Sequence, residues 1–318
     1  MTDDRRDDAP DTSISPPAAP SASGDPSAPG DERRQEGRRV SERKSVAVRR
    51  AIRKELADDA SSEPDDEYVE YEDETEAVIE LDHVSLAFDR PILDDVSLVA
   101  RKGETICLVG ESGTGKSTAL KLILRLLVPD EGRVCIQGRD ITALNFEEAL
   151  EARQNMGMVF QSAALFDSMS VFENVAYPLR EHTDLGDDEI KQRVREKLEF
   201  VDLDPEDVMR KLPSQLSGGM RKRVGIARGM ADNPAIMLYD EPTSGLDPLS
   251  TGTITRLIMK LQRELDVTSV VVSHDIRSVF RMATRVAVLN ERRIAFFGTP
   301  EEMAASEDQY LRDFLGGS

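Results

Sequence analysis

The chain has 318 residues, 39% of them hydrophobic and only 5% aromatic, enough to bury one α/β-sized core with an appendage to spare. Its 61 acidic against 41 basic side chains give a formal net charge of −20, which excludes a protein that holds duplex nucleic acid through general phosphate attraction, so no nucleic-acid partner is expected. No stretch stays apolar for the roughly 18 residues a membrane span requires, and the opening MTDDRRDDAP lacks the apolar middle of a secretion signal. The expected place is the cytoplasm, peripheral on a membrane at most.

From Met1 to about Asp31 the chain is Pro, Ser, Ala and Asp with almost no large apolar side chain, too little to offset the entropy of ordering. A basic stretch from Arg33 to Lys54 follows, then an acidic one from Glu55 to Glu76 that holds no Lys or Arg. Residues 1–76 therefore read as a disordered, charged tail. Its basic block, with a helical pattern around Val46 to Leu56, suits either its acidic neighbour or anionic lipid headgroups. Residues 77–318 read as the folded domain.

That domain opens near Val78 with β-rich runs separated by helical patterns: VIELDHVSLAF, ETICLVG, GRVCIQG, GMVFQ, AIMLYDE, TSVVVSHD, RVAVLN and RRIAFFG. The alternation predicts an α/β fold with a mainly parallel core sheet. Ile190, Val194, Leu198 and Val201 share one helical face, and so do Ile254, Leu257, Ile258, Leu261 and Leu265; both faces are expected to pack into the core. Cys107 and Cys135 each lie inside an apolar strand-like run with no CxxC spacing and no neighbouring His, so both are expected as buried free thiols. His83 and His182 match no motif and read as structural.

The chemistry begins with GESGTGKS, Gly110, Glu111, Ser112, Gly113, Thr114, Gly115, Lys116 and Ser117. It fits G-x-x-x-x-G-K-[ST] and stands between the strand ETICLV and the helical STALKLILRLL, where a phosphate-binding loop belongs. Its glycines let backbone N–H groups turn inward, and the helix start adds partial positive charge. Lys116 is expected on the β- and γ-phosphates, Thr118 on the α-phosphate and Ser117 on Mg²⁺. IMLYDE, Ile236 to Glu241, then reads as a buried strand. Asp240 at its end is expected to hold Mg²⁺ through water, and Glu241 to orient or deprotonate the attacking water. ATP and Mg²⁺ are thus the expected ligands.

LSGGM, Leu216 to Met220, followed by the helical RKRVGIARGMA, resembles the LSGGQ signature of the ABC ATPase family, and the likeness runs over residues 78 to 318. The resemblance implies a P-loop NTPase core of RecA-like type, an antiparallel β subdomain and a helical signature subdomain at about 162–228. It implies adenine stacking on Phe88 and sensing of Mg²⁺ and γ-phosphate by Gln161. SGLDP, Ser244 to Pro248, resembles the family's D-loop and places Asp247 at the site, and His274 in VVVSHD resembles its switch histidine. Ser217, Gly218 and Gly219 begin a helix that forms a second anion site. One loop already serves the chain's own nucleotide, so that second site should face another copy's ATP in a homodimer.

FQSAALFDSMSVFENVAYPLREHTDL, Phe160 to Leu185, and Met220 in place of the usual Gln are similar to the ATPases of bacterial Mla/Mce-type lipid transporters. That resemblance implies a chain peripheral on the cytoplasmic face of the inner membrane, an integral membrane permease and an Mce-domain lipid-binding protein as partners, and lipid cargo. Its N-terminal tail matches no part of that pattern, and the end soon after YLRDFLGGS leaves little room for a long C-terminal exchange between subunits. A transporter ATPase for another cargo would keep every catalytic motif; a soluble ABC ATPase would carry two cassettes or a long coiled-coil insertion, which are absent here. Among the apolar Leu165, Phe166, Met169, Val171 and Phe172, some are expected to line a groove that receives a permease helix.

Overall fold

Short runs that are apolar on both faces make strands covered on both sides, and these supply the centre of the molecule. The computed structural model describes residues 76–316. In chain order the strands are β1 (Ala77–Ala87), β2 (Pro91–Arg101), β3 (Thr105–Val109), β4 (Glu131–Ile136), β5 (Arg139–Asp140), β6 (Met156–Val159), β7 (Ile236–Asp240), β8 (Thr268–Val272), β9 (Arg285–Asn290) and β10 (Arg293–Gly298). One six-stranded sheet has the order β10-β9-β3-β8-β7-β6. Its strands β9, β3, β8, β7 and β6 are parallel, and β10 adds antiparallel to β9.

Side-chain alternation along these strands divides the core in two. Cys107 and Val109 of β3 join Met237 and Tyr239 of β7 on one face, while Ile106 and Leu108 join Ile236 and Leu238 on the other. The second face is covered by α1 (Lys116–Ile123) through Ala119, Leu120, Leu122 and Ile123, and by the antiparallel sheet β2-β1-β4-β5. The first face carries most of the remaining helices. Among these, α3 (Val171–His182), α4 (Asp187–Phe200), the short α5 (Pro205–Val208) and α6 (Gly218–Gly229) lie between β6 and β7 in sequence, after α2 (Phe146–Arg153). They bury Val175 and Leu179, Ile190, Val194 and Leu198, and Val224 and Ile226. Then come α7 (Pro248–Leu265), α8 (Ile276–Met282), α9 (Pro300–Ala305) and α10 (Gln309–Gly316).

Most of the expected packing is found. Ile190, Val194, Leu198 and Val201 are buried, as are Ile254, Leu257, Ile258 and Leu261. Leu265 is the exception at 43% exposed: it is the last residue of α7, and Asp266 turns the chain away in a left-handed conformation (φ 52°). Both cysteines are free, but only Cys107 is buried; Cys135 is half-buried beside the two-residue edge strand β5. Burial pushes the Cys107 thiol well above its usual range. Strand β2 lies outside the strand runs read from the sequence. His83 Nδ1 and His182 Nδ1 lie within hydrogen-bond reach of Asp95 Oδ1 at 2.6 Å and of Asp232 Oδ2 at 3.0 Å. Among the described residues no helix is long and apolar enough to cross a membrane. The expectations for the disordered tail and for a helix around Val46 to Leu56 fall outside the described residues.

Candidate active site

In a parallel sheet, ligands collect at the carboxyl ends of the strands. Here β3 leads into Gly110, β6 into Gln161, β7 into Glu241 and β8 into His274. The loop after β3 depends on two glycines. At Gly110 (φ 151°) a Cβ would lie 2.2 Å from the Leu289 carbonyl oxygen, and at Gly115 (φ 106°) 2.7 Å from Leu93 Cδ2, so any other residue would force the loop off the sheet. Glu111, Ser112 and Gly113 are exposed on the rim, and the half-buried Thr114 donates its hydroxyl to the Glu111 carbonyl at 2.9 Å. Gly115 caps α1 without a side-chain bond, which leaves the helix's leading N–H groups as donors to an anion.

Lys116 is buried and donates its Nζ to the carbonyls of Gly110 at 2.9 Å and Glu111 at 2.7 Å. Burial lowers its pKa, while Glu241 and Asp240 nearby oppose that shift. Ser117 donates its hydroxyl to Asp240 Oδ1 at 2.9 Å, and Thr118 is half-buried on the next position of α1. Two hard oxygen donors thus meet where the loop joins β7. Among the described residues no cluster of three or more His, Cys, Asp and Glu could hold a metal alone. The pair therefore fits an ion such as Mg²⁺ that takes most of its ligands from water and phosphate.

Glu241 adopts a left-handed backbone (φ 48°) while its N–H donates to the Val272 carbonyl at 2.9 Å. Gln161 Nε2 donates to Glu241 Oε2 and to Ser244 Oγ, both at 3.2 Å, and His274 Nδ1 lies 3.4 Å from Glu241 Oε2. The structure therefore gathers Lys116, Ser117, Gln161, Asp240, Glu241 and His274 around one loop. Two residues without an expected role join them: Ser244, and Lys222, whose buried Nζ donates to the Gln161 carbonyl. The sequence signal for Lys222 is faint, a single cation on a helix already rich in them.

Five expected site residues stand apart. Phe88 is exposed in the turn between β1 and β2, its ring open to a flat partner. Ser217 caps α6 by accepting from the Met220 N–H at 3.3 Å, with Gly218 and Gly219 in its first turn. Asp247 caps α7, accepting from the N–H groups of Leu249 and Ser250 at 3.0 Å, and the Ser250 hydroxyl bond holds its carboxyl below the usual range. The two caps are neighbours, since a Cβ on Gly219 would lie 3.0 Å from Ser250 Oγ.

Comparison with known proteins bears on this arrangement. Residues 93–244 match the family described as ABC transporter. The chain is 42% identical over 229 residues to the intermembrane phospholipid transport system ATP-binding protein MlaF of Haemophilus influenzae, covering 72% of this chain and 86% of that protein. It is 41% identical over 226 residues to the probable ribonucleotide transport ATP-binding protein mkl of Mycobacterium tuberculosis, covering 71% of this chain but only 62% of that one. Among solved structures, the dimeric post-hydrolysis state of the ATP-binding cassette MJ0796 bound to ADP and Pi superposes with a TM-score of 0.64 at 34% identity, over 70% of this chain and 98% of that one. With a phosphate loop, an acidic strand end and a helical signature segment on this fold, the chain belongs to the ABC transporter family, as an ATP-binding and ATP-hydrolysing subunit.

Proposed function

We propose that this ATPase powers lipid transport of the phospholipid type between membranes, as a homodimer docked on an integral membrane permease that works with an Mce-domain lipid-binding protein. The observation that carries the cargo is the likeness to MlaF, 42% identical over 86% of that protein. It is joined by an exposed aromatic pair on the helical side of the molecule. Phe166 is 42% and Tyr177 40% exposed, with ring centroids 5.2 Å apart and the Arg228 guanidinium 5.7 Å from the Phe166 ring. Of the neighbouring apolar residues, Val171 is buried, Leu165 and Phe172 pack partly on the core, and Met169 is half-buried. A permease helix would meet Phe166 and Tyr177 first, which would hold the chain on the cytoplasmic face of the inner membrane.

At the site, the N–H groups around Gly113 and Gly115, with Lys116 and Thr118, would hold the phosphates, and Phe88 would stack on adenine. Ser117 and Gln161 directly, and Asp240 through water, would hold Mg²⁺, which neutralises charge on the β- and γ-phosphates when bound. Glu241 would take the proton of the attacking water, with Gln161 and His274 fixing its carboxylate. Ser217, Gly218, Gly219 and Asp247 would serve the nucleotide of the second copy, as the dimeric form of the MJ0796 cassette suggests for this chain.

Affinity purification from the native membrane tests the reading. Recovery of a permease together with an Mce-domain protein is the expected result, and Phe166→Glu should abolish it while the soluble protein still binds ATP. A ribonucleotide permease would favour the cargo named for the mkl relative, and an amino-acid or metal-ion permease would sink the lipid assignment.

A further inference from the structure

Lys222 stands on α6, two residues past the LSGGM segment, with its side chain almost sealed from water, 6% exposed. Its Nζ donates to two backbone carbonyls, that of Gln161 at 2.5 Å and that of Glu241 at 3.3 Å. Those are the two residues whose side chains share the 3.2 Å bond in the site. One ammonium group therefore ties together the backbones of both partners, from an element that begins at Ser217.

The rest of that helix face closes on the same loop. Three residues along, Gly225 packs so tightly on Ala163 that a Cβ would lie 3.1 Å from the Ala163 Cβ. Three further, Arg228 donates to the carbonyls of Ala164 at 2.8 Å and Ala163 at 3.1 Å. The two steps of three keep these residues on one side of the helix. What they clamp is strained: Ala163 (φ 62°), Ala164 (φ 45°) and Glu241 (φ 48°) are all left-handed without being glycine, a conformation that persists only when surroundings over-determine it.

We propose that Lys222 is a positioning residue for hydrolysis, holding the Glu241 and Gln161 peptides so that the two side chains stay in register. The proposal rests on the reading of Glu241 as the base. An ammonium suits the task because it offers three donors from one atom to carbonyls converging from different strands. Burial lowers the Lys222 pKa and the Glu241 charge opposes that shift. Without the ammonium, the Gln161 carbonyl loses this donor and the Glu241 carbonyl keeps only the Ser244 N–H at 3.2 Å, so the strained Glu241 peptide can relax and carry its carboxylate away from the water. A displacement of about 1 Å at such a group costs on the order of a hundredfold in rate.

The test uses the purified full chain, with fluorescent ATP analogue binding, steady-state ATPase kinetics and thermal unfolding. Lys222→Met should bind nucleotide within about threefold of the parent, because the loop at Gly110 to Ser117 is untouched, while kcat falls by about tenfold or more with KM little changed. Lys222→Arg, which restores donors, should recover most of that kcat. Should Lys222→Met fail to fold, Lys222→Gln, with one donor group left, is read in the same way and should fall between. Parental kcat in a folded donor-deficient variant overturns the proposal, as does parallel loss of nucleotide binding and kcat. Glu241→Gln is run beside them: if that variant turns over normally the base assignment itself fails, whereas its loss alongside a fully active Lys222→Met removes the positioning role alone.

Discussion

Asp240 and Glu241 are adjacent at the end of β7, yet the backbone sends them to different tasks. Asp240 continues the strand and meets the Ser117 hydroxyl, while the left-handed turn at Glu241 swings its carboxylate toward Gln161 and His274. The first position suits a metal-bound water and the second an attacking one. Glu241→Gln should keep ATP affinity and lower turnover by about a hundredfold or more, since the amide preserves shape and cannot accept a proton. Phosphate-release kinetics and a binding titration on the same sample check both halves. Lys116→Ala acts on the other quantity. It removes a cation held by two loop carbonyls and proposed above to reach the phosphates, so nucleotide affinity itself should fall by at least tenfold. Unchanged affinity would count against the phosphate-loop assignment.

At the scale of elements, the loop between Gln161 and α3 hangs on one buried amide. Asn174 Oδ1 accepts from the Phe166 N–H at 2.8 Å, and its Nδ2 donates to the carbonyls of Phe166, Met169 and Ser170 at 3.0–3.1 Å. Asn174→Ala takes a partner from the Phe166 N–H and the Met169 carbonyl, while the Phe166 and Ser170 carbonyls keep the N–H groups of Met169 and Asn174, and should cost about 1–3 kcal/mol in urea unfolding. Permease recovery should weaken with it, because the same loop presents Phe166. Neither Asn174 nor Lys222 stands out in the sequence, for a physical reason: their partners are backbone carbonyls, which any residue supplies. The Lys222 and Glu241 partners of Gln161 also lie 61 and 80 positions away. The parallel strands were legible because each is an unbroken apolar run, and the phosphate loop because its glycines, Lys and Ser must stand at fixed spacing. Strand β2 escaped for the opposite cause. Asp94 and the left-handed Asp95 (φ 56°) interrupt its alternation, and the register against β1 slips between Val84 and Leu86, so the period-2 signal is lost at the point where the strand bends.

On the scale of the whole molecule, the residues proposed to serve the nucleotide fall into two groups within the chain. Lys116, Ser117, Asp240 and Glu241 converge, while Ser217, Gly218 and Gly219 start α6 elsewhere, beside the Asp247 cap of α7. The proposed dimer completes each site with the α6 start of the other copy, and this makes the two lesions separable. Ser217→Arg places a long side chain at the interface and should block closure over the neighbour's γ-phosphate, while leaving ATP binding by the isolated chain intact. Lys116→Ala damages the chain's own loop. Neither homodimer should hydrolyse ATP appreciably. In a heterodimer of the two, one site combines the Ser217→Arg start with the Lys116→Ala loop and carries both lesions, and the other pairs an intact loop with an intact start. An equimolar mixture forms heterodimers as about half of its dimers, each with one sound site, so close to a quarter of parental ATPase activity should return. Differently tagged copies purified in tandem isolate that heterodimer and allow its rate to be read directly. A site confined to a single chain would instead be sound in the Ser217→Arg subunit from the outset, so full activity in that variant before any mixing would overturn the shared-site arrangement.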